Sequence, residues 1–232
     1  MQPREVGIRF EGMHDDLLEL VPAELHARSG GVLYSGRSAF RGPRPLYLLG
    51  LNPGGDPAAQ ADETIGRSIR SATARSRNDW SAYADESWQG RPPGTATLQP
   101  RVLHLLRNLD LEPRAVPASN VVFVRSKREG LLARKAELLR DCWPLHEAVI
   151  RGLGVRVIAC MGVTAGAWTR EMVGAHELVE SWSEQNERGW TSRTHIGRDG
   201  LQVVTMTHPS VAAWNSAAAD PSPLVRSALG RS

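Results

Sequence analysis

The chain has 232 residues, a formal net charge of +3 and a pI near 9.2, which suits one large α/β domain and excludes a strongly acidic or a heavily basic chain. No apolar run is long enough to cross a bilayer, and the opening Met1-Gln-Pro-Arg-Glu lacks the basic-then-apolar order of a secretory leader. The two cysteines, Cys142 and Cys160, are too few to supply the four ligands of an iron–sulfur cluster.

A chain of this size buries about 70% of its unfolded surface, so it needs no covalent or metal staple. No Pro/Gly/Ser-rich linker divides it, so a single domain over residues 1–232 is expected, as a monomer in the cytoplasm or on the chromosome, with both thiols reduced. All but two of the 28 basic residues are Arg, the exceptions being Lys127 and Lys135. Arg makes bidentate phosphate contacts. A G- and C-rich genome enriches Arg as well.

In chain order, apolar residues at Met13, Leu17, Leu18, Leu20, Val21 and Leu25 predict an amphipathic helix within 12–28, with Pro22 at a kink or boundary. Leu46-Tyr-Leu-Leu-Gly-Leu predicts a buried strand stopped at Pro53-Gly-Gly. Residues 55–97 are polar and irregular and carry Trp80, Tyr83 and Trp88. Residues 98–109 have helical spacing, and Asn120-Val-Val-Phe-Val reads as a second strand opened by Asn120. Residues 131–151 form the longest helical pattern, in which Pro144 should start a new helix or bend this one. Val155 to Gly162 reads as a third strand and 163–174 as a helix. Residues 189–207 read as a hairpin turning at Arg198-Asp199-Gly200, whose second arm is the fourth strand, and Pro223 to Gly230 as a last helix. Alternating strands and helices predict a three-layer α/β/α fold on a central four-stranded, mostly parallel sheet. Ligands bind such sheets at the carboxyl ends of the strands.

Three polar segments fall at strand ends. Gly50-Leu51-Asn52-Pro53-Gly54-Gly55 has neither dinucleotide-loop nor P-loop spacing. It does set an amide between turn formers, although an Asn-Pro pair also initiates turns unaided. His208-Pro209-Ser210 follows the fourth strand, with a side chain that donates a hydrogen bond whether neutral or charged. Asn120 offers a donor and an acceptor together, which matches the edge of a pyrimidine.

As an ordered set these motifs resemble the uracil-DNA glycosylase superfamily, over residues 44–216. Gly-Leu-Asn-Pro-Gly resembles the first motif of the mismatch-specific and single-strand-selective branches. His-Pro-Ser resembles the last motif of the founding branch. Asn120, Cys142-Trp143-Pro144 and Val157-Ile-Ala-Cys-Met-Gly resemble the thermophilic branch. The resemblance implies a four-stranded parallel sheet between helices and a monofunctional DNA glycosylase, without metal or cofactor, acting on DNA that carries a deaminated base. Asn52 would orient the attacking water, since an amide is no base. His208 would donate to the base oxygen that becomes anionic. Asn120 would read the flipped base, with Gly50, Leu51, Pro53 and Gly54 shaping its pocket and Trp80, Tyr83 or Trp88 stacking on it. Ser210 would grip a phosphate, and Arg125, Ser126, Lys127 and Arg128 would follow the strand. Trp214 would be the wedge, or would pack under the last helix.

Three departures bear on substrate and mechanism. Gly54 stands where the founding branch has a Tyr that excludes thymine, which widens the candidate bases to uracil, hypoxanthine, xanthine or mismatched thymine. Ala212 stands where that branch has its wedge Leu. The cysteines of the iron–sulfur branch are absent except for Cys142, so no cluster is expected. Two other readings fit the same motifs: a non-catalytic nucleic-acid-binding protein on this fold, and a hydrolase of free nucleosides or nucleotides. No Gly-x-Ser-x-Gly elbow and no His-Glu-x-x-His spacing points to a serine hydrolase or a zinc enzyme.

Overall fold

The computed structural model describes residues 13–96 and 98–230. Its elements in chain order are α1 (Met13–Glu19), β1 (Leu46–Gly50), α2 (Ile65–Ala72), α3 (Ala82–Asp85), α4 (Gln99–Asn108), β2 (Ala118–Asn120), α5 (Lys135–Leu153), β3 (Val157–Met161), α6 (Val163–Val173), β4 (Glu177–Ser183), β5 (Thr191–Ile196), β6 (Gln202–Met206) and α7 (Ser222–Ala228). The strands form one sheet in the order β2-β1-β3-β6-β5-β4. The first four are parallel, whereas β5 runs antiparallel to β6 and β4 antiparallel to β5.

The sheet therefore has six strands rather than the expected four. In the parallel set, β1, β3 and β6 fall on three of the predicted strands and β2 meets the other only at Asn120, while β5 is the first arm of the predicted hairpin. β4 is the addition. Its sequence Glu-Leu-Val-Glu-Ser-Trp-Ser is exposed at every position except the half-buried Trp182, so it carries no alternation to announce it. Glu177 and Glu180 place charge on this edge, which blunts it as a template for further strand pairing.

β1 and β3 are buried at every position, as expected of parallel strands covered on both faces. Tyr47, Leu49, Ile158, Cys160 and Val203 point to one face, where Leu17 and Leu18 of α1, Cys142 and Val149 of α5 and Ala165 of α6 cover them. Leu46, Leu48, Val157, Ala159 and Val204 point to the other, under Val102 and Leu105 of α4 and Leu224 and Val225 of α7. Each Val, Leu or Ile among them contributes about 1.5–3 kcal/mol by leaving water. The alternation also fixes which side chains surround the strand ends.

Two further corrections concern boundaries. Asn120 closes β2 instead of opening a strand. Ala118, Ser119 and Asn120 pair with Leu48, Leu49 and Gly50. The apolar run Val121–Val124 then turns off the sheet and packs, buried, beneath residues 29–31, with Phe123 O accepting from Gly31 N and Ser29 O from Arg125 N. An apolar run reads alike in a strand or a buried loop, so the sequence could not separate them. The second is that α5 runs through Pro144 without ending, which sets aside only the alternative of a new helix starting there. Pro144 lies on the exposed side, where water can satisfy the carbonyl that its missing N–H leaves open.

One buried polar link ties this frame together. His146 of α5 has no solvent exposure. Its Nδ1 lies 2.8 Å from the Tyr47 hydroxyl and its Nε2 lies 3.3 Å from Val121 O. A carbonyl only accepts, so Nε2 carries the proton and the Tyr47 hydroxyl donates to Nδ1. Burial pushes the His146 pKa down to about 4 and the Tyr47 pKa up, so both stay neutral. The link binds α5 to β1 and to the residue after Asn120.

Candidate functional site

The four parallel strands end at a common level. Register pairs Gly50 with Asn120, Leu49 with Cys160 and Met161 with Met206. The chain leaves this rim as Leu51-Asn52, Val121, Gly162-Val163 and Thr207-His208. Strands lie about 4.8 Å apart, so the ends of β1 and β6, with β3 between them, are separated by about 10 Å. Asn120, Asn52 and His208 thus share one edge of the sheet.

Asn52 is half-buried and its amide is held in one orientation. Nδ2 donates to Pro53 O (2.9 Å), Val124 O (3.3 Å) and Ser126 Oγ (2.9 Å). The Ser126 hydroxyl gives its own proton to Arg128 O at 3.0 Å, so it accepts from Asn52. All three partners accept, which leaves Oδ1 as the open end of the amide, with no hydrogen-bond partner among the described residues. A carbonyl oxygen in this position can accept a hydrogen bond from a water and so fix where that water's lone pairs point. Ser126, expected on the strand, is 6% exposed and instead orients Asn52.

Gly50 is small because of Asn120. A Cβ at Gly50 would lie 2.1 Å from Asn120 Oδ1 and 3.6 Å from Met161 Cε. Asn120 is 7% exposed and its amide lies beside the Tyr34 hydroxyl. Burial raises the Tyr34 pKa to about 12 against the opposing pull of Arg125. Tyr34 stacks on Tyr83 (ring centroids 6.0 Å, 28° between planes) and meets Trp88 edge-on at 6.5 Å. Tyr83 is a core residue, 3% exposed, so it forms a wall instead of a platform. Trp80 has one ring face covered by the Arg77 guanidinium, 3.7 Å from its centroid. Trp88, half-buried with Nε1 donating to Glu86, is the predicted aromatic next to Tyr34 with surface to offer.

His208 is set with equal definition. The Ser210 backbone N–H donates to Nδ1 at 3.1 Å, and the Ser210 hydroxyl lies 2.7 Å from the same nitrogen. A backbone N–H can only donate, so Nδ1 is unprotonated and the neutral ring carries its proton on Nε2. Burial lowers the His208 pKa, which keeps the ring neutral near pH 7. The ring rests on Gly162, where a Cβ would stand 3.4 Å from His208 Cδ2. Two donors hold the turn: Trp214 Nε1 to Thr207 O at 3.1 Å, and Arg101 of α4 to Pro209 O.

That arrangement overturns one expectation. Trp214 is 1% exposed, packed with Ala212, Leu224 and Val225, and cannot enter a base stack. Its large ring completes the core under α7, and its N–H positions the His208 turn. The exposed apolar residue of this turn is Val211, 52% exposed.

Of the other predicted contacts, Ser210 is exposed beside His208. Lys127 is exposed and pairs with Asp56 at 2.7 Å. Arg125 is turned inward: it donates to Ser29 Oγ and Gly54 O and pairs with Glu63 at 2.7 Å, so it clamps the Gly54-Gly55 loop. Arg128 is exposed. Pro53 is buried and Leu51 packs on the core, while Gly54 is exposed. Tyr34 and Arg101 were not found from sequence. Tyr34 sits in a Gly-rich stretch without periodicity, and Arg101 reads as one more polar position on a helix. Cys142 and Cys160 are unpaired and buried. Among the described residues no group of three or more His, Cys, Asp or Glu could hold a metal ion, and no helix is long and apolar enough to cross a membrane.

No family model and no curated protein matches this chain.

Proposed function

We propose that the protein is a monofunctional DNA glycosylase of the uracil-DNA glycosylase superfamily that removes a deaminated base by hydrolysis. The observation that carries this reading is the paired setting of Asn52 and His208. Each follows, two residues on, one of the two parallel strands that flank β3, and each is held by backbone and hydroxyl partners so that one polar atom stays free: Oδ1 of Asn52 and Nε2–H of His208.

That pair suits cleavage of an N-glycosidic bond. The C1′–N bond breaks with its electron pair on the base, leaving positive charge on the sugar. His208 Nε2–H donates to the base oxygen on which negative charge gathers; a neutral donor prepared in place needs no reorganisation in the transition state. Asn52 Oδ1 holds a water whose oxygen bonds to C1′. That water's surplus proton passes to solvent and the base anion takes a proton from solvent. Asn120, fixed between Gly50 and Tyr34, is the group to read the edge of the base, with Trp88 beside it. Flipping costs a few kcal/mol and is cheapest from a single strand or a mismatch. With Trp214 and Ala212 in the core, Val211 is the side chain left to enter the vacated stack.

The test is a panel of single- and double-stranded oligonucleotides carrying uracil, hypoxanthine, xanthine or mismatched thymine, each treated with alkali after incubation. Strand breaks at the modified base are the expected result. Salt-sensitive binding without breaks would make the protein a binding module, and cleavage confined to free deoxynucleosides would make it a nucleoside hydrolase.

A further inference from the structure

Behind Ser126 lies a cleft of about 380 Å³, formed by residues 27–29, Pro57, Ala61, 124–127 and 131–133 and separate from the rim between Asn120 and His208. Volumes of this order hold small organic ligands. Val124, Leu131 and Leu132 supply apolar wall, and Arg28, Arg125 and Lys127 supply cations; no acidic side chain lines it. Leu131 is 66% exposed, a large apolar surface left in water at the cleft mouth. Glu63 holds Arg125 inward, and Asp56 pairs with Lys127, whose side chain is 56% exposed and can turn to a phosphate, whereas Arg28 is exposed and makes no ion pair among the described residues. An apolar slot with an unbalanced guanidinium at its mouth fits a flat ring that carries an anion.

The cleft is also coupled to the site. Ser126 lines it and accepts from the Asn52 amide at 2.9 Å. We propose that the cleft binds one nucleotide of the substrate strand, a neighbour of the nucleotide being excised, with its base against Leu131 and Val124 and its phosphate on Arg28 and Lys127. This rests on the glycosylase reading. It makes the enzyme selective for a strand that can unstack two nucleotides, hence for single-stranded or frayed DNA. Because the occupant lies on Ser126, filling the cleft steadies Asn52 and raises kcat as well as affinity.

The experiment places an abasic spacer at each of two positions on either side of the excised base in a single-stranded oligonucleotide. Excision is compared in the wild type, Ala61→Trp, which fills the cleft from an exposed position, and Leu131→Ala. One spacer position should slow the wild type about tenfold, the scale of a single nucleobase contact. Ala61→Trp should be slow on every oligonucleotide and blind to that position, and Leu131→Ala intermediate. Fluorescence anisotropy with undamaged single strands provides a readout independent of catalysis, in which Arg28→Ala lowers the slope of log K against log salt by about 0.7. A wild-type rate indifferent to every spacer overturns the proposal and leaves the glycosylase reading standing. Absence of excision with cleft-dependent binding supports the cleft and removes the glycosylase reading. Binding of a free deoxynucleoside monophosphate, blocked by Ala61→Trp, with no spacer effect, overturns the strand proposal in favour of a free-nucleotide site.

Discussion

Burial of His146 should make stability fall between pH 7 and pH 5, before most carboxylates titrate. Its pKa is pushed from 6.5 to about 4 by burial, the hydrogen bond to Val121 O opposing only in part. Between those values the unfolded chain binds the proton and the folded one does not, so stability rises with pH across that window. The contribution is fully present above about pH 6.5 and is lost as pH falls toward 4. A shift of this size amounts to about 3 kcal/mol in all, of which about 2 kcal/mol is lost between pH 7 and pH 5. Burial also lowers the pKa values of His195 and His208, which add in the same direction. The contribution of His146 is therefore read against His146→Gln, which keeps an amide donor for Val121 O and does not titrate. Denaturant unfolding at pH 7, 6 and 5 should show the wild type losing about 2 kcal/mol more than the variant. Equal losses in the two proteins would mean that His146 is not held neutral in the fold, and the link between Tyr47 and the segment after Asn120 would be wrongly drawn.

Gly50→Ala puts a methyl 2.1 Å from Asn120 Oδ1 and should displace that amide, lowering excision at least tenfold while the unfolding midpoint moves little; unchanged kinetics would show that Asn120 does not touch the base. Trp214→Phe removes the donor to Thr207 O and part of a buried ring, costing about 2–3 kcal/mol by denaturation and shifting the His208 ring signals in NMR spectra; an unmoved His208 would contradict its role in holding the turn. Lys127→Ala should lower the salt slope of single-strand binding by about 0.7, and Arg125→Ala should leave that slope unchanged and destabilise the Gly54-Gly55 loop, seen as faster amide exchange there; the reverse pattern would mean that Arg125 faces the strand.

What the sequence revealed, and what it hid, divides along physical lines. β1, β3, β6, α4 and α6 were legible because burial on both faces demands an unbroken apolar run and burial on one face demands a helical stripe. The placement of Asn52 and His208 beyond strand ends was legible because each follows such a run and precedes a proline. The role of Ser126 was not, because a hydroxyl 74 positions away in sequence reaches Asn52 only through the buried turn of Val121–Val124. Tyr34 and Arg101 were invisible for the same reason: each acts through long-range contacts that leave no local pattern. Trp214 was left between wedge and core because a large aromatic after the His208 turn reads alike as either. Only the packing of Leu224 and Val225 decides between them. β4 lacked any pattern, since an exposed edge strand has no buried face to impose one.

The Asn52 and His208 pair is the centre of the proposed chemistry, and single-turnover excision by the wild type, Asn52→Ala and His208→Ala tests it most directly. On the oligonucleotide the wild type processes best, with the fold of each variant checked by NMR, each substitution should slow base release by about 10²–10³-fold. Release at the wild-type rate by either folded variant would show that the bond is broken elsewhere, or by other groups.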